Sequence, residues 1–155
     1  MTFCTNKDTK RRTAPDDARG ASGADNLPEW DLSDLYAGID DATIDRDLEE
    51  AEARAAAFAA KFQGTLAALD GAALGAAVAA LEDIDELLNR TRCYGQLLFA
   101  ANTQDADIAA FYQNLNERTT DIASKLLFFT LEINRIDDDS LTEKLRAPEL
   151  ARYNP

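Results

Sequence analysis

The side chains with chemical potential in this chain are mostly carboxylates. Two acidic sets stand out, Glu82-Asp83-Asp85-Glu86 and Asp137-Asp138-Asp139. Oxygen-rich clusters hold calcium or magnesium when their spacing lets several carboxylates converge, and neither set has the spacing of an EF-hand loop. Adjacent acids on a helix otherwise form a solvated face. Histidine is absent from the sequence, which removes the commonest general base, the usual catalytic triad and the usual zinc ligand. There is no His-Glu-x-x-His, no phosphate-cradling glycine loop and no Gly-x-Ser-x-Gly. A carboxylate di-iron site needs Glu-x-x-His, which cannot occur here. The two cysteines, Cys4 and Cys93, make no Cys-x-x-Cys pair, so neither a disulfide framework nor a thiolate zinc site is expected. The residues alone therefore assign no catalytic, cofactor-binding or metal-ligating position.

Other residues have both a chemical and a plain structural reading. Lys10-Arg11-Arg12 is a possible nucleic-acid patch, but it lies among aspartates in a polar segment. Trp30 and Tyr36 are a possible aromatic ligand site. They equally supply the apolar bulk that would anchor the first ordered segment on the helices after it. The net charge of the chain is -13. Five basic residues against four acidic ones give the first 27 residues +1, leaving -14 on the remainder. An acidic body of this kind repels nucleic acid phosphates and anionic lipid. It serves solubility, or it attracts cationic peptides.

These residues must be positioned by helices. With 155 residues, 46% of them apolar and 29% charged, the composition is that of one ordinary globular domain. Residues 1–26 are polar and of mixed charge and are expected to be a disordered tail. Residues 27–155 are expected to be helical throughout. Leu27–Tyr36 predicts a turn, with Asp31 and Ser33 bonding nearby amides. Asp40 or Asp41 should cap a helix whose apolar residues Ile44, Leu48, Ala51, Ala55, Phe58 and Phe62 form a heptad seam. Gly64 suits a left-handed position after it. Leu66 and Leu69 should tuck in before Asp70, the next cap.

Gly71–Ile136 contains no proline and predicts two long helices joined at Ala101–Asp105. The first has its stripe at Leu74, Val78, Leu81, Ile84, Leu88, Tyr94, Leu97 and Leu98. The second has Ile108, Phe111, Leu115, Ile122, Leu126, Phe129, Ile133 and Ile136. Two such helices with a short link fold back on one another. Gly95 predicts a close helix crossing, with the close approach of a ligand as the alternative. Leu127, Phe128 and Leu131 fall off the stripe, so they are expected either to be covered by the Trp30–Tyr36 segment or to form an exposed patch. Asp137–Asp139 suits the start of a new helix, Ser140-Leu141-Thr142-Glu143 has capping-box spacing, and Pro148 suits a first helical turn. The expected fold class is all-α, an antiparallel bundle of three long helices plus short C-terminal helices. No signal-peptide core is present, and the longest strongly apolar run, Leu126–Phe129, is far too short to span a bilayer. A cytoplasmic protein is expected.

Five segments, in order, resemble the N-terminal region of the oligoendopeptidase F family of zinc metallopeptidases. They are Trp30-Asp31-Leu32-Ser33-Asp34-Leu35-Tyr36, Phe58–Gly64, Tyr94–Thr103, Lys125–Ile136 and Pro148–Tyr153. The resemblance implies part of the helical lobe that walls a channel for short peptides. It also implies zinc on a His-Glu-x-x-His helix in the full enzyme, with a glutamate activating water. None of those residues is in this sequence, so no catalytic or metal residue carries over. The implied partners are a C-terminal catalytic region and short peptide substrates, with no nucleic acid and no membrane. The rival expectation is an independent, non-catalytic helical protein-interaction module.

Overall fold

The computed structural model describes residues 31–153. The expectations for the tail, Trp30 and Cys4 lie outside these residues. The described part is all-α, with no strand among the described residues.

The described residues begin with a tight turn in which Leu35 N and Tyr36 N both donate to Leu32 O. Asp31 Oδ1 accepts from Ser33 N at 2.9 Å. Helix α1 (Ala42–Phe62) follows, capped by Asp41, whose carboxylate accepts from Thr43 N at 2.8 Å. Every residue of the heptad seam is buried. The helix ends at Phe62, and Gly64 takes the left-handed conformation with φ 80°. A side chain there would strain the backbone. A 3-10 turn (Leu66–Ala68) then plugs the end of the bundle with fully buried Leu66.

Helix α2 (Gly71–Ala101) starts at Asp70, which accepts from Ala73 N at 2.8 Å. Its buried line is Leu74, Ala77, Ile84, Leu88, Thr91 and Gly95, with Tyr94 beside it. The stripe expected from large residues is therefore slightly rotated, because Val78, Leu81, Leu97 and Leu98 are only half-buried. Small residues take the innermost positions, where helices approach most closely. Thr91 is tolerated there because its hydroxyl donates back to Leu87 O and Leu88 O. At Gly95 a Cβ would lie 2.6 Å from Leu115 Cδ2, which is the close crossing the sequence predicts.

Helix α3 (Ala106–Ser124) is capped by Asp105, which accepts from Asp107 N and Ile108 N. Arg118 pairs with Asp45 and Lys125 with Glu52, so α3 runs parallel to α1. Residues 54–62 of α1 face residues 80–84 of α2 across a groove, while Asp47 meets Arg90. That ordering makes α1 and α2 antiparallel. The result is an up-down-up bundle of three long helices.

The helix expected to run unbroken to Ile136 ends at Ser124. Lys125 N and Leu126 N bond three residues back, to Ile122 O and Ala123 O, and Ser124 Oγ donates to Asp121 O at 2.7 Å. The tightened turn tilts helix α4 (Leu127–Ile133) onto the Leu66–Ala68 turn. Leu126, Phe129 and Ile136 are buried all the same, whereas Ile108, Phe111 and Ile133 are half-buried. Spacings of three and four fit a 3-10 turn between two helices as well as one long helix, so the break left no trace in the periodicity.

Helix α5 (Asp138–Lys144) is capped by Asp137, which accepts from Ser140 N at 3.1 Å. The capping box expected at Ser140 is not used. Asp137 reaches the orphan amide first, and Asp138 and Asp139 complement the positive end of the helix. A 3-10 segment (Pro148–Tyr153) closes the described chain, seating Leu150 in the core near Gly75 of α2.

Candidate functional site

The most developed polar cluster joins the first turn to two helices. Tyr36 Oη donates to Asp47 Oδ2 at 2.8 Å, Arg90 Nε donates to Tyr36 Oη at 3.2 Å, and Arg90 Nη2 pairs with Asp47. The Tyr36 ring stands edge-on to Tyr94 with centroids 5.1 Å apart, and the Arg90 guanidinium lies over the Tyr36 ring. Asp47 is 5% exposed. A buried carboxylate is costly without partners, and here it has two. Burial, reinforced by the neighbouring Asp47 carboxylate, pushes the Tyr36 hydroxyl up to about 12. The phenol stays protonated beside an ion pair whose arginine side chain is 42% exposed. The cluster fastens the Leu32–Tyr36 turn to α1 and α2.

Tyr36 therefore takes the anchoring role, in the described part of the pair first read with Trp30. Sequence reasoning missed Asp47 and Arg90. Asp47 sat in view, three residues after Ile44 and one before Leu48 on the seam face of α1, where an acid calls for a partner. Arg90 carried no comparable signal.

The acidic sets are separated by the fold. Glu82 pairs with Arg152, Asp137 serves as a helix cap, and partial burial raises the carboxyl of Asp85. Among the described residues, no three Cys, Asp or Glu side chains converge as a metal site. Cys93 is a free, exposed thiol on α2. The zinc that the family resemblance implies does not fit this donor set, since the sequence has no histidine.

Two recesses stand out among the described residues. One of about 430 Å³ lies between α1 and α2, floored by Phe58, Phe62 and Ile84 and edged by Arg54, Lys61 and Asp83. The other, of about 330 Å³, lies between the start of α1 and α3. Three carboxylates line it, Asp40, Asp41 and Asp45: Asp41 accepts from Ala37 N and Thr43 N, which hold its carboxyl below the usual range, and Asp45 pairs with Arg118. Neither recess contains a nucleophile beside a base.

Large apolar side chains reach the surface on α4. Leu127 is 62% exposed and Leu131 58%. They sit four residues apart on one face. Phe128, also off the stripe, packs half-buried against Phe58 with centroids 5.8 Å apart. The break before α4 turns it inward.

Fold and surface together define a helical bundle with an anchored first turn and no catalytic constellation among the described residues. No family model matches the chain, and neither does any curated protein or solved structure. No helix among the described residues is long and apolar enough to cross a membrane.

Proposed function

We propose that this chain is a helical segment of the N-terminal lobe of a zinc metalloendopeptidase of the oligoendopeptidase F type. It is inactive alone and shapes the channel through which short peptides reach a catalytic region encoded elsewhere. One observation supports the reading: four of the five segments that resemble the family touch one another in two pairs, while Pro148–Tyr153 packs on α2 near Gly75, outside them. Tyr36 meets Tyr94, Phe58 meets Phe128 and Phe129, and Gly64 N donates to Glu132 Oε1 at 2.7 Å. Helices of similar composition converge in sequence easily. Scattered segments that also form each other's contacts are better explained by a shared core. The outward face of Leu127 and Leu131 is the surface such a lobe would turn toward the rest of the enzyme. A cytoplasmic location accords with the reading.

The coding sequence provides the test. The reading frame, or the DNA just downstream, should encode a His-Glu-x-x-His helix. Several hundred downstream codons without one would overturn the proposal. The independent protein-interaction module, a complete fold with no missing partner surface, would then take its place. The purified chain itself should neither cleave peptides nor hold zinc after dialysis. About one zinc per chain, or cleavage that survives further purification, would contradict the assignment of catalysis to another region.

A further inference from the structure

We draw no further inference here: the strongest candidate, the exposed face that Leu127 and Leu131 form on the short helix α4, belongs to the reading already proposed, and nothing in the structure shows what covers it.

Discussion

The Tyr36–Asp47–Arg90 cluster and the outer face of α4 meet water in opposite ways. In the cluster, a buried carboxylate has drawn a phenol and a guanidinium around it, and its hydrogen bonds close within the chain. On α4, two leucines stand in solvent although the same short helix buries Phe129 on its other side. The first region is complete because each of its groups answers another. The second is complete on one side only. The described residues pair their buried polar side chains and leave two large apolar ones exposed on α4.

The largest effect that separates the two regions should come from Arg90→Met. It strips the ion-pair partner from Asp47 and leaves a buried charge. Arg90 is itself 42% exposed, so water can partly replace it, and we expect a loss of about 2–3 kcal/mol rather than the full cost of a sealed pair. Urea denaturation should show a lower midpoint with an unchanged slope. A loss below about 0.5 kcal/mol would mean that the cluster does not hold the turn in place.

Phe128→Ser comes next, because it divides α4 between its two faces. The side chain packs against Phe58, so we expect a loss of about 1–2 kcal/mol in the same urea experiment. Were it silent, Phe128 would belong with the exposed leucines.

Tyr36→Phe should cost about 1 kcal/mol at neutral pH, since Asp47 keeps Arg90. Its sharper signature is alkaline. The folded-state pKa of Tyr36 is raised to about 12 from the ordinary 10.0. Its contribution to stability is therefore complete below pH 10.0 and is lost as pH rises through about 12. The native chain should lose stability across that window, and Tyr36→Phe should lose less. Parallel curves for the two proteins would show that the hydroxyl is not held by the carboxylate.

Much of this architecture could be read from spacing alone. Asp70 caps α2 as its position predicts, and Asp41, one of the two expected candidates, caps α1. The α1 seam is buried throughout, and Gly64 and Gly95 do what a glycine at those positions implies. Local rules were enough because caps and stripes depend on residues within one or two turns. The break at Ser124 was hidden because a 3-10 turn preserves the spacing of the apolar residues on either side. The Arg90 contact was hidden for a different reason: 43 residues separate it from Asp47, and no periodicity connects residues on different helices. The inward turn of Phe128 followed from the break and was lost with it.

Leu127→Ser combined with Leu131→Ser should have the smallest effect on stability, within about 0.5 kcal/mol, because both side chains are already in water. The pair tests the central claim most directly when read by sedimentation rather than by unfolding. The account predicts that the native chain self-associates as concentration rises and binds a hydrophobic dye, in spite of its net charge of -13. The double variant should sediment as a monomer and bind little dye. A native chain that stays monomeric at high concentration and binds no dye would show that α4 has no surface to be met, and would contradict the account.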